Sequence, residues 1–176
     1  MARVQARSQE GPYARSNLST LAYWPKPLVP FAKGSFKKVY RGYYANGPRK
    51  GQECVSKAFI IRSRFKGSSF GVELSVVQRA QEVINDWNAA RIIHLPIVLS
   101  IPEIWTIWIF PFSREQRLVE PFIRNFQKFN NNDGSMYSQG TFWSDALQAL
   151  SHFSYHRSFG QMVLCDIQGG VYKDKL

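Results

Sequence analysis

The chain has 176 residues, with 23 Lys and Arg against 12 Asp and Glu, a formal charge of +11. That length favours one domain with a real core, and 44% hydrophobic with 15% aromatic residues excludes a disordered or collagen-like polymer. Two cysteines, Cys54 and Cys165, make neither a disulfide framework nor a four-ligand zinc site, and read as reduced thiols of a cytoplasmic protein.

Residues 1–22 carry Arg3, Arg7 and Arg15 without an apolar run, so they read as a flexible basic arm rather than a secretion signal, leaving 23–176 as the domain. Tyr23-Trp24-Pro25 through Pro30 is a proline-rich lead-in. From Phe31 to Tyr44, aromatic and β-branched residues alternate with basic ones around Gly34, which predicts strand, turn and strand. Asn46-Gly47-Pro48 is a turn, and Glu53–Ile60 is the third antiparallel strand. Leu74, Val77, Ala80, Gln81, Ile84 and Trp87 then recur at helical spacing, with no proline before Pro96.

The apolar region Ile92–Phe112 approaches the length of a membrane span, but His94 and Glu103 lie inside it and Pro96, Pro102 and Pro111 divide it. It reads as buried strands, with no membrane span. A further strand is expected over Gln116–Ile123, and Asn130-Asn131-Asn132-Asp133-Gly134 has turn composition. Phe142, Ala146, Ala149 and Leu150 lie on one face of a second helix, and Gln161–Asp166 reads as a short buried strand. Strands first, then helix, then mixed elements make an α+β chain without internal repeat.

Four features bear on chemistry. The Gly34-Ser35-Phe36 turn lets backbone N–H groups come close to an anion, because glycine offers no side chain. Lys57 on the following strand can reach the same anion, and Glu73 or Glu82 on the helix can hold that lysine in place. Asp166, followed by the Gln168 amide, suits a hard Mg2+ that keeps waters and bridges phosphates. These are parts that phosphoryl transfer needs. Each also has a plain structural reading, since a glycine turn is usually a hairpin and a strand lysine is usually solvated.

The same residues resemble the alpha-kinases, a family of atypical serine/threonine protein kinases. Gly34-Ser35-Phe36-Lys37-Lys38-Val39-Tyr40 is similar to the family's phosphate loop, and Val55-Ser56-Lys57-Ala58-Phe59 to its lysine strand. Val119-Glu120-Pro121-Phe122-Ile123 followed by Lys128-Phe129-Asn130-Asn131-Asn132-Asp133-Gly134 resembles its hinge and asparagine-rich loop. Ala149-Leu150-Ser151-His152-Phe153 followed by Asp166-Ile167-Gln168-Gly169 resembles its catalytic segment. The resemblance covers about residues 31–172.

It implies a two-lobed, protein-kinase-like fold with an antiparallel N-lobe sheet and an incomplete C-lobe. It also implies ATP and Mg2+ as cofactors, and a protein Ser or Thr hydroxyl as phosphate acceptor. Lys57 would bind the α and β phosphates, Gly34 would belong to the loop above them, and Glu120 with Ile123 would meet the adenine at the hinge. Asp166 would be catalytic and would share Mg2+ with Gln168, while Lys128, Asn132 and Gly134 would shape the loop beside the phosphate. Ser151 and Phe153 read as packing residues.

In the family, the histidine at position 152 belongs to a zinc site completed by a later histidine and two cysteines. Those partners are missing here, so His152 reads as a zinc ligand only if they are supplied. The family's further catalytic aspartate in a Thr-Asp-Pro stretch is also unmatched, because Lys173-Asp174-Lys175 lacks the flanking residues. The expectation is therefore an alpha-kinase domain lacking its C-terminal zinc-binding part. The alternative is a pseudokinase or protein-interaction module that keeps the fold without catalysis. Basic residues are scattered, and no signature of a specific nucleic-acid binder accompanies the charge.

Overall fold

The computed structural model describes residues 3–4, 14–60, 68–109, 113–137 and 139–172. In chain order they form β1 (Arg3–Val4), β2 (Ala14–Arg15), β3 (Ala22–Tyr23), β4 (Ala32–Lys33), β5 (Lys37–Tyr44) and β6 (Glu53–Phe59). There follow α1 (Ser68–Ala89), β7 (Leu99–Ser100), β8 (Glu103–Ile109), β9 (Ser113–Pro121), β10 (Phe126–Lys128), α2 (Phe142–Arg157) and β11 (Gln168–Gly170). The α+β class expected from the sequence is the class observed. The chain divides into two compact units, Met1–Arg79 with Val98–Phe122 and Ala80–Ile97 with Ile123–Leu176.

The first unit is a sheet in the order β1-β8-β9-β6-β5-β3, with β4 hairpinned onto β5. Its long strands are antiparallel, and β2 and β7 form a separate parallel pair. Register decides what each face carries, because neighbours across antiparallel strands point the same way. One face gathers Tyr44 from β5, Cys54 from β6, Val119 from β9, and Trp105 with Ile107 from β8 into the core of this unit. Trp105 and Tyr44 meet edge to face with ring centroids 6.4 Å apart. Burial there raises the Tyr44 phenol and pushes the Cys54 thiol up to about 12.

The opposite face carries Lys37, Val39 and Arg41 opposite Phe59, Lys57 and Val55, with Leu118 and Glu120 beyond. The first turn of α1 packs against it through Phe70, whose ring lies 5.1 Å from Phe59. Residues 16–22, read from the sequence as part of a loose arm, are instead built in. Asn17 is fully buried, donates to the Val119 carbonyl at 2.9 Å and accepts from the Tyr44 hydroxyl. A polar run can be buried when each polar group finds a partner, and Asn17 does.

In the second unit, Ala80, Val83, Ile84 and Trp87 form the buried stripe of α1. Trp87 meets Phe153 of α2 at 5.4 Å, and Arg157 pairs with Asp86 at 2.7 Å. Helix α2 begins at Thr141, whose hydroxyl accepts the Ser144 N–H, and its buried line runs through Leu147, Leu150, Ser151 and Ser154. Strands β10 and β11 make a short antiparallel ribbon.

One expected strand is corrected. Gln161–Asp166 is irregular and mostly exposed, and the strand lies at Gln168–Gly170. The apolar run Met162–Cys165 has no ladder partner among the described residues, whereas Gln168–Gly170 pairs with β10. Within Ile92–Phe112 the reading as buried strands is corrected in part: β8 pairs with β1 and β9, β7 pairs with β2, and Ile92, Val98 and Trp108 are exposed, while residues 110–112 lie outside the described ones. Among the described residues no helix is long and apolar enough to cross a membrane.

A Cβ at Gly42 would sit 2.7 Å from Trp24 Nε1 and 2.8 Å from the Tyr23 carbonyl oxygen. Gly42→Ala is therefore expected to lose about 1–3 kcal/mol in urea unfolding through overpacking. Maleimide should label Cys165, which is exposed, in the native chain, and buried Cys54 only after unfolding, as counted by mass spectrometry.

Candidate functional site

In the first unit the site residues lie on the face of the sheet that carries α1. Lys57 forms an ion pair with Glu120. Lys57 opposes Leu118 and Val55 opposes Glu120, so the two charges are diagonal neighbours on one face, within reach of a long side chain. The acid expected to hold Lys57 was Glu73 or Glu82, and the structure corrects this. Glu73 pairs with Lys37 at the start of β5, and Glu82 is exposed in the second unit. Arg41 pairs with Glu53 and lies over the Phe122 ring at 4.6 Å. The cations Lys37, Arg41 and Lys57 of this face thus all have carboxylate partners.

Gly34 closes the β4–β5 turn by donating its N–H to the Lys37 carbonyl at 2.8 Å. That N–H is spent inside the turn. A Cβ at Gly34 would meet only the Lys37 oxygen, at 3.9 Å, so the flank of the turn is open.

In the second unit, Lys128 ends β10 and pairs with Asp166 at 2.7 Å, while register sets Lys128 opposite Gln168. The hydrogen bond to Asp166, with that carboxylate's charge, holds the Lys128 ammonium above its ordinary value. Asp166 adopts a left-handed backbone, φ 57°, a conformation that aspartate tolerates better than most residues. Ile123 packs at the other end of the ribbon, its Cγ2 2.9 Å from where a Cβ of Gly170 would lie.

The asparagine-rich stretch folds as a tight loop. Asn131 Oδ1 accepts the N–H groups of Asp133 and Ser135 at 3.1 and 3.0 Å. Gly134 turns the chain at φ 88°, and Asn132 is exposed. Hydrogen bonds from Ser135, from its hydroxyl first and then its N–H, hold the Asp133 carboxyl below its usual range.

The residue that sequence reasoning missed is Asn130. It is buried, and its side chain links Ile167 to Ser151 of α2. Its signal was present only as one Asn among three; nothing local marks which of them turns inward. Ser151, read as a packing residue, is buried and supplies the α2 end of that link.

A donor count tests the metals. Asp166 and Gln168 supply one carboxylate and one amide oxygen, too few for a protein-only cage but suited to Mg2+, which keeps waters and takes nucleotide phosphate oxygens. The zinc set does not fit. His152 is exposed with its ring 4.5 Å from His156, and among the described residues no three His, Cys, Asp or Glu side chains gather. Asp174 lies outside the described residues.

The alpha-kinase family model matches residues 32–176. Human transient receptor potential cation channel subfamily M member 6 is 23% identical over 97 residues, which is 55% of this chain and 5% of that protein. The chain therefore spans a small part of that relative's length. The alpha-kinase domain of myosin-II heavy chain kinase A in complex with AMP-PNP has a TM-score of 0.71 at 18% identity, over 85% of this chain and 70% of that one. The AMP complex of the same domain gives 0.71 and 18%, over 85% and 72%. An inactive form of it with ATP gives 0.71 and 18%, over 85% and 71%.

Lys57→Met is expected to destabilise the chain more than Glu120→Gln in urea unfolding, by about 1 kcal/mol. The Glu120 side chain, 12% exposed, is left as a buried unpaired anion, whereas the Lys57 side chain, 31% exposed, can turn to water. The Asp133 contribution is present above its unfolded value, near pH 4, and is lost as pH falls through its lower folded value. Ser135 amide shifts should therefore report loop release below roughly pH 4 in the native chain, and Asp133→Asn should remove that step.

Proposed function

The chain belongs to the alpha-kinase family, and from that premise we propose that it binds ATP with Mg2+ and transfers the γ-phosphate to a Ser or Thr hydroxyl of a protein. Family and fold make it a kinase-like domain. The observation that carries it is the Lys128, Asp166 and Gln168 arrangement: Lys128 at the end of β10 pairs with Asp166 and stands opposite Gln168 at the start of β11.

Lys57 supplies a compact fixed charge for the α and β phosphates, and binding exchanges its Glu120 partner for phosphate oxygens. Glu120, released, accepts a hydrogen bond from the adenine amino group beside Ile123. Gly34 leaves the flank of its turn open to the phosphates. Asp166 and Gln168 hold the metal, which when bound offsets the charge of the phosphates. Lys128 is then freed from Asp166 and turns to the transferring group, with Asn132 and Gly134 shaping the loop beside it. The solved relatives of this fold were crystallised with AMP-PNP, AMP and ATP, which supports the nucleotide class.

A second reading, a pseudokinase that binds without transfer, is favoured by one observation. Lys128 already neutralises Asp166, and among the described residues no cluster of further acids surrounds it.

Mg-ATP at 100 times its Kd should stabilise the chain by about 2.7 kcal/mol, a rise of roughly 5–10 °C in Tm. Lys57→Ala should abolish that rise, and no rise in the native chain would refute nucleotide binding. Radiolabelled phosphate transfer to a Ser/Thr peptide, present in the native chain and absent in Asp166→Ala, separates kinase from pseudokinase. Equal signal in both would defeat the role given to Asp166.

A further inference from the structure

Asn130 is 4% exposed and each polar end of its amide is used. Oδ1 accepts the Ile167 N–H at 2.8 Å, and Nδ2 donates to Ser151 Oγ at 3.0 Å. Ile167 N–H can only donate, so the amide oxygen must face it and the amide nitrogen must face α2. Ser151 donates its own hydroxyl hydrogen to the Leu147 carbonyl at 3.2 Å, which leaves its oxygen as acceptor and removes the alternative orientation. The Ile167 carbonyl in turn accepts the Phe129 N–H at 2.9 Å and, more weakly, the Asn130 N–H at 3.4 Å. Both backbone groups of Ile167 are therefore held by Phe129 and Asn130, and through Asn130 by α2.

Ile167 is the residue between Asp166 and Gln168. Asp166 is exposed and left-handed, a conformation a free loop relaxes out of. Gln168 has the β10 ladder to hold it, but Asp166 lies beyond the ladder. We infer that Asn130 is a positioning residue for the metal pair. Its amide oxygen fixes the peptide joining the two ligands, so that the Asp166 carboxylate and the Gln168 amide open to the same side as Lys128. The inference rests on the metal reading given above. It adds that affinity for the cation depends on a buried amide that touches neither cation nor nucleotide, and second-layer partners of this kind cost about 10- to 100-fold in affinity when removed.

The test uses the whole chain with Mn2+ as probe, titrated by water-proton relaxation at saturating ADP, and follows Ile167 amide exchange by NMR without metal. Asn130→Ala should weaken Mn2+ about tenfold and expose the Ile167 amide to exchange, while metal-free ADP affinity, assigned to Lys57, stays at the native value. Ser151→Ala, which keeps the Asn130 acceptor for Ile167 and removes only its anchor on α2, should weaken Mn2+ by less than Asn130→Ala does. If Asn130→Ala does not fold, Ser151→Ala supplies the comparison, since it frees the amide to rotate and should raise Ile167 exchange. Native Mn2+ affinity in Asn130→Ala, or a Mn2+ loss there without faster Ile167 exchange, overturns the inference while a loss in Asp166→Asn keeps the metal reading. Native Mn2+ affinity in Asp166→Asn overturns the metal reading beneath it.

Discussion

The antiparallel register of β5, β6 and β9 is the constraint on which the first unit depends. With a side-chain period of two, that register sends Tyr44, Cys54 and Val119 to one face and Lys37, Lys57 and Glu120 to the other. A slip of one residue would bury the charges and expose the aromatics. The ion pairs follow from the register rather than causing it: partly exposed pairs of this kind contribute little stability on their own. Their value is positional. Each cation is held at a known place by its carboxylate partner.

The second unit is organised by polar satisfaction instead. Its ribbon is only three residues long on each strand, too short to define the Asp166 segment beyond it. A single buried amide extends the order past the ladder, tying Ile167 to Ser151. In a low-dielectric setting such a bond is strong when made and costly when lost, which is why one side chain can set the geometry of a neighbouring exposed loop.

Both helices were legible from spacing, and the stripe through Ala80, Ile84 and Trp87 repeats with the helical period. On the second helix the expected face holds at Ala146 and Leu150, whereas Phe142 and Ala149 are exposed and Leu147 is buried in their place. The hairpin around Gly34 and the strand carrying Lys57 were legible from alternation. Asp166 and Gln168 were named from their own chemistry and Lys128 from resemblance, and the structure brings these three together. The partner of Lys57 was misread because the expected acid lies next along the chain, on α1, whereas the real one lies across a strand about sixty positions later. The Gln161–Asp166 strand was misread because apolar letters in a short run mean burial only where a ladder partner exists.

What this sequence determined by itself is the set of local periods and the kinds of side chain available: three opening strands, two amphipathic helices, a glycine turn, an aspartate followed by Ile-Gln-Gly. These are properties of neighbours a few residues apart. Tertiary structure alone decided which acid faces Lys57, that Lys128 meets Asp166, that Asn17 is buried, and that Asn130 rather than Asn131 or Asn132 points inward. Each of those outcomes joins residues well separated in the chain, and each depends on register, burial and the pairing of buried polar groups, which come into being only when the sheet and the ribbon close.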